Sequence, residues 1–136
     1  MPITFFPGPG TVLICDFDSG FKPPEMVKCR PVVVISPRRR TSKLCTVVPL
    51  STTRPDPIEP HHHRLDPKSL PGDLGKTETW AKCDMVITIS ISRLDRVKVG
   101  KDQSGKRLYT AGSVIPPDLE AIRRAVMAGL GIVPQA

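Results

Sequence analysis

Apolar positions along this chain come in short β-branched runs, cut by prolines and glycines before any long periodic stretch can form. The densest pattern lies between Arg30 and Thr53. Arg30-Pro31-Val32-Val33-Val34-Ile35 is one apolar run, and Leu44-Cys45-Thr46-Val47-Val48-Pro49-Leu50 is a second, followed by Ser51-Thr52-Thr53. Between them lies a loop of basic and hydroxyl residues, Arg38-Arg39-Arg40-Thr41-Ser42-Lys43. Two such runs predict two buried strands with an exposed connection. If they pair antiparallel, the start of the first lies beside the end of the second. A guanidinium at Arg30 would then face the hydroxyls of Ser51 and Thr52.

The rest of the chain predicts elements of similar size. Thr11 to Phe17 reads as a first strand, preceded by a Pro/Gly-punctuated lead-in whose Phe5 and Phe6 are expected to plug a core edge. Ser19 to Lys28 reads as a long irregular connection, a length common in binding loops. Arg54 to Lys68 carries Pro55, Pro57, Pro60 and Pro67, and its His61-His62-His63 is expected on an edge strand or loop. Alternation on a strand would prevent all three imidazoles from sharing one metal. Pro71-Gly72-Asp73 signals a turn. Thr77 to Lys82 and Asp84 to Ile89 read as strands, with Trp80 in a core or an interface. Ser90 to Leu94 suits one helical turn, Arg96 to Val99 a further strand, and Gly100 to Gly105 a loop.

The last element is helical. Pro116 and Pro117 mark its start, Asp118 and Glu120 complement the dipole of its first turn, and Leu119, Ile122, Val126 and Leu130 form one apolar stripe. Gly129 or Gly131 ends it, with frayed residues beyond. The sum is an α+β, mainly β fold: a compact curled antiparallel sheet of short strands with a C-terminal helix, in one domain over residues 1–136.

Charge narrows the partner class. Twenty Lys and Arg against thirteen Asp and Glu give +7 and a pI near 9.6, which favours a polyanion. Cys15, Cys29, Cys45 and Cys83 show no paired spacing, and no leader or membrane span is read. Reduced cysteines in a cytoplasmic protein follow. No cofactor motif is read.

The order of these motifs carries a resemblance. Arg30-Pro31 before an apolar strand, then Pro49 followed by Ser51-Thr52, resembles the MazF/PemK toxins of bacterial toxin–antitoxin pairs. Gly10 to Asp18 looks like that family's opening strand, Pro24-Glu25-Met26 its approach loop, and Cys83-Asp84-Met85-Val86 its Asp-containing strand. The resemblance spans roughly Gly8 to Gly131. It implies an SH3-like barrel with the helix packed outside, a homodimer, and a cognate antitoxin partner with which such toxins bind DNA. It also implies a metal-independent endoribonuclease for single-stranded RNA.

The residues can be weighed against that chemistry. Attack by a 2′-hydroxyl on the adjacent phosphorus needs in-line positioning, two proton movements and stabilisation of charge on phosphoryl oxygens. Arg30 suits the charge role, because its fork holds two phosphate oxygens and never loses its proton. A structural ion pair of Arg30 with Glu25 or Asp84 is the plainer alternative. Ser51 matches the family's hydroxyl, with Thr52 and Thr53 as alternates. By resemblance Glu25 is a base or an orienter of Arg30, and Asp84 an orienter or a base-edge contact. Lys82 stands where some relatives have Arg. Arg38, Arg39, Arg40 and Lys43 would track an RNA backbone, or form a plain solvated loop. Asp16 and Asp18, two apart on a strand, could hold Mg²⁺ but read as structural. The competing function is a non-catalytic nucleic-acid-binding module, or a gyrase poison like the CcdB toxins. A CcdB-like protein would not need Arg30 paired with Ser51.

Overall fold

The computed structural model describes residues 3–18 and 20–132. The expected frayed C-terminal end lies mostly outside them. Ten strands and one helix follow in order: β1 (Thr11–Asp16), β2 (Cys29–Val34), β3 (Leu44–Ser51), β4 (His62–Arg64), β5 (Trp80–Lys82), β6 (Ile87–Ser90), β7 (Leu94–Asp95), β8 (Val97–Lys101), β9 (Arg107–Thr110), β10 (Gly112–Ser113) and α1 (Pro116–Gly129). Four short 3₁₀ turns interrupt the second half, at Pro67–Ser69, Gly72–Lys76, Cys83–Met85 and Ile91–Arg93.

The main sheet runs β10-β1-β2-β3-β5-β4, with β6 also on β3 and β7 also on β1. All its pairs are antiparallel. The expected class therefore holds. The barrel picture needs correcting, because among the described residues the hydrogen-bonded path stays open, ending at β4 and β10.

Both faces of the central strands are covered, which explains why β2 and β3 read as unbroken apolar runs. Val33 and Val48, register partners, face a core that includes Val12, Leu50, Ala81 and the α1 residues Ile122, Ala125 and Val126. Val32, Val34 and Val47 face the opposite core with Phe17, Ile89 and Leu94. Proline 49 sits in a strand that is central, yet its missing N–H costs nothing there. Strand β3 pairs with β6 through Val47 and with β5 from Leu50 onward, so Pro49 falls where the strand changes partners. That change of partner turns the sheet and aims Ser51 toward the end where Arg30 begins β2.

Helix α1 is anchored by its second proline's neighbour. Asp118 is 6% exposed and accepts hydrogen bonds from Asp66 N (2.9 Å) and Ser69 Oγ (2.5 Å), with His63 Nε2 at 2.8 Å. Its task exceeds the expected dipole complement: it fastens the helix start to β4 and the 67–69 turn. Glu120 stays outside and pairs with Arg124 at 3.3 Å. Leu130 falls off the apolar stripe at 59% exposure, since the helix has ended at Gly129. Phe5 and Phe6 are also exposed rather than plugging a core. Trp80 is buried, its indole N–H given to Glu78 Oε1 at 2.7 Å. Among the described residues no helix is long and apolar enough to cross a membrane.

Candidate functional site

The register of β2 on β3 decides the site. Val32 faces Pro49, Val33 faces Val48 and Val34 faces Val47. Continued by two residues, the same register sets Arg30 opposite Ser51. Both line one cleft of about 250 Å³, together with Thr52, Cys29, Leu70, Asp73, Leu74, Thr77 and Thr79.

The two polar groups keep their reactive ends free. Arg30 Nε donates to Val27 O at 3.2 Å, which fixes the plane of the guanidinium. Among the described residues it forms no salt bridge, and its terminal nitrogens have no protein partner. Ser51 Oγ accepts from Thr53 N at 3.1 Å, so its own O–H remains available as a donor. The turn that carries it is tethered from behind, as Arg54 Nε lies 3.4 Å from Glu78 Oε1, the same oxygen that receives the Trp80 indole. Such an arrangement can hold an oxyanion with a planar fork on one side and a hydroxyl on the other.

Other candidates are not gathered there. Glu25 lines a separate, mostly apolar cavity with Phe17, Phe21, Met26, Met85, Val86 and Ile87. Asp84 was expected on a strand beside Arg30. It lies instead in the Cys83–Met85 turn, with Oδ2 3.6 Å from His61 Nε2, where the chain passes from β5 to β6 and its register on β3 shifts. Lys82 stands on β5 opposite His62. Arg38, Arg39, Arg40 and Lys43 occupy the other end of the β2–β3 hairpin, about 20 Å away at the rise of an extended strand. Arg38 Nε is held by Phe6 O at 2.9 Å, so this arginine also clasps the N-terminal lead-in.

The histidines divide as a strand requires. His63 faces Asp118, whereas His62 Nδ1 accepts from Glu59 N at 3.0 Å and its ring meets that of His61. Ligand atoms of His61, His62 and Asp84 lie within 4.8 Å of one another. Two features oppose a cation there: Lys82 is the register partner of His62, and the His62 Nδ1 lone pair is already engaged. Asp16 and Asp18 form a turn, with Asp18 N donating to Asp16 Oδ1 at 2.8 Å, and the Cys29 thiol reaches Asp18 at 3.8 Å. Partial desolvation first, then these two carboxylates, push the Cys29 thiol pKa up. The three buried cysteines are raised further by burial, Cys15 and Cys83 to about 12 and Cys45 to about 11.

Asp73 is the group that sequence reasoning missed. It is the one carboxylate among the cleft-lining residues, and it pairs with Lys76 at 3.0 Å while remaining exposed. Its only sequence signal was the Pro71-Gly72-Asp73 turn, which gives no indication of what the turn packs against.

The family model for PemK-like, MazF-like toxins of type II toxin–antitoxin systems matches residues 8–126. The chain belongs to this family. It is 31% identical to the uncharacterized protein YifN of Escherichia coli strain K12, across 98% of this chain and 97% of that one. Among solved structures it is similar to an endoribonuclease in complex with its cognate antitoxin from a mycobacterial species. That likeness has 24% identity, a TM-score of 0.61, and coverage of 96% of this chain and 99% of that chain. It is also similar to MazF of Deinococcus radiodurans, at 19% identity and a TM-score of 0.63, covering 94% and 99%. At these identities the structural likeness is one of fold. The PemK/MazF membership agrees with the order of motifs read from the sequence.

Proposed function

We propose that this PemK/MazF-family chain is an endoribonuclease toxin that cuts single-stranded RNA without a metal, acts as a homodimer and is neutralised by an antitoxin protein. The observation that carries the chemistry is the convergence of Arg30 and Ser51 on one cleft. The substrate's 2′-hydroxyl attacks the adjacent phosphorus, forming a 2′,3′-cyclic phosphate and expelling the 5′-oxygen, which takes a proton from solvent water. Arg30 holds two phosphoryl oxygens through its free terminal nitrogens, and Ser51, with Thr52 beside it, donates to a phosphoryl oxygen as charge builds. Asp73, rather than Glu25, takes the 2′-hydroxyl proton, since among the described residues it alone brings a carboxylate to the cleft wall.

A CcdB-like gyrase poison would not need the Arg30 fork beside the Ser51 hydroxyl, whereas a nucleic-acid-binding module would use both on phosphate, so cleavage itself is the discriminating observation. Incubation of the purified protein with long RNA in excess EDTA separates the readings. Cleavage to fragments with 2′,3′-cyclic phosphate (or the 3′-phosphate from its opening) and 5′-hydroxyl ends is expected. Intact RNA, or cleavage only after Mg²⁺ is added, would overturn the proposal.

A further inference from the structure

Strands β8 and β9 form a two-stranded sheet of their own, outside the main sheet. Their register slips by one residue between Lys98 and Gly100, leaving Val99 as a bulge. Lys98 pairs with Tyr109 and Lys101 with Arg107. Arg107 and Tyr109 are two apart on β9 and share a face. Their partners must share it too. Lys98 and Lys101 are three apart and would point to opposite faces on a regular strand, so the bulge is what brings them together.

The resulting face carries Lys98, Lys101, Arg107 and Tyr109, all exposed, with the Arg96 guanidinium 5.8 Å from the Tyr109 ring centre. Among the described residues none of these cations has a salt bridge. Lys101 and Arg107 stand directly opposite each other, a like-charge pairing that costs stability unless an anion lies between them. The hairpin's one acid, Asp102, is engaged by its own loop: its Oδ1 accepts from Ser104 N, Ser104 Oγ and Lys106 N. The bulge also seats the hairpin beside the cleft. Val99 lies over Gly72, where a Cβ would come 3.3 Å from the Val99 Cα and where φ is +58°. Only glycine meets both demands. Gly72 opens the turn whose Asp73 and Leu74 line the cleft.

We propose that this face of the β8–β9 hairpin is a second RNA-binding surface, on the hairpin that packs against the turn lining the cleft. Lys98, Lys101 and Arg107 take phosphates of the single strand, and Tyr109 stacks on one base. The alternation of cations with one exposed aromatic suits a flexible polyanion with π faces. The inference takes RNA as the substrate class from the proposed function, but its test does not require cleavage.

The probe is a fluorescein-labelled 2′-O-methyl oligouridylate, which lacks the nucleophile and is not cut. Its affinity is measured against salt for the wild type, for the triple variant Lys98→Gln, Lys101→Gln, Arg107→Gln, and for Tyr109→Leu. The triple variant should lower the logarithmic salt slope by about 2, at about 0.7 per lost phosphate contact. Tyr109→Leu should weaken binding about tenfold with the slope unchanged, as loss of one stacked base does. Unchanged slope and affinity in both variants would overturn the proposal, as would tighter hairpin-dependent binding of duplex DNA. Binding that behaves as expected in a protein unable to cut RNA would refute the proposed activity and leave this surface standing.

Discussion

The β2–β3 hairpin carries cations at both of its ends, and the two ends differ in build. At the Arg30 end a single cation faces hydroxyls across a register fixed by valines buried on both sides. Its guanidinium is oriented by Val27 O, and the opposing turn is tethered through Arg54 and Glu78. At the other end Arg39 and Arg40 are exposed, and only Arg38 is tied down, by Phe6 O. Charge density favours the second end, whereas preorganisation favours the first. Catalysis depends on the latter, because a donor already aimed at the developing charge needs no rearrangement during the reaction. The loop suits affinity, where mobile cations suffice.

That contrast can be broken first at Arg30. Arg30→Ala should lower the cleavage rate about 100- to 1,000-fold, the usual loss for one donor to a transition-state oxyanion. The melting temperature should barely move, since among the described residues no ion pair is lost. Arg30→Lys should be badly impaired as well, because a point charge cannot replace the fork. Unfolding of the alanine variant would recast Arg30 as a structural residue.

A somewhat smaller effect should separate the two acids. Asp73→Asn should cost about 100-fold in rate, as removal of a general base does, while Glu25→Gln leaves cleavage near wild type. The reverse order would return the proton-accepting role to the approach loop. At the far end of the hairpin, replacing Arg38, Arg39 and Arg40 with Gln should have the smallest consequence. KM for long RNA should rise while kcat on a short substrate stays level; a fall in kcat would mean the loop reaches the cleft.

Where the sequence was legible, burial had written the pattern. The valine runs of β2 and β3 announce strands covered on both faces, and antiparallel arithmetic alone brings Arg30 to Ser51. The start of α1 was equally plain from Pro116 and Pro117. The opposite held where geometry depends on a neighbour distant in sequence. Asp73 reads as a turn residue until the fold lays that turn over the cleft. Asp84 reads as strand until β3 pairs with β5 in one register and with β6 in another, the Cys83–Met85 turn taking up the difference. Strand β9 escaped notice because Arg107-Leu108-Tyr109 is exposed, so no buried face imposes a pattern. Glu25 followed from motif position alone, and the cavity it lines opens elsewhere.

The most direct test of the Arg30–Ser51 cleft as an RNA-cleaving centre uses the substrate's own nucleophile. Once a cut site in RNA has been mapped, an oligonucleotide carrying a single 2′-deoxy sugar immediately 5′ to the scissile phosphate is compared with its all-ribose twin, both in EDTA. The twin should be cut and the substituted strand should stay intact at that position. Cleavage of the substituted strand at the same bond would contradict the account, because no 2′-oxygen would then be needed.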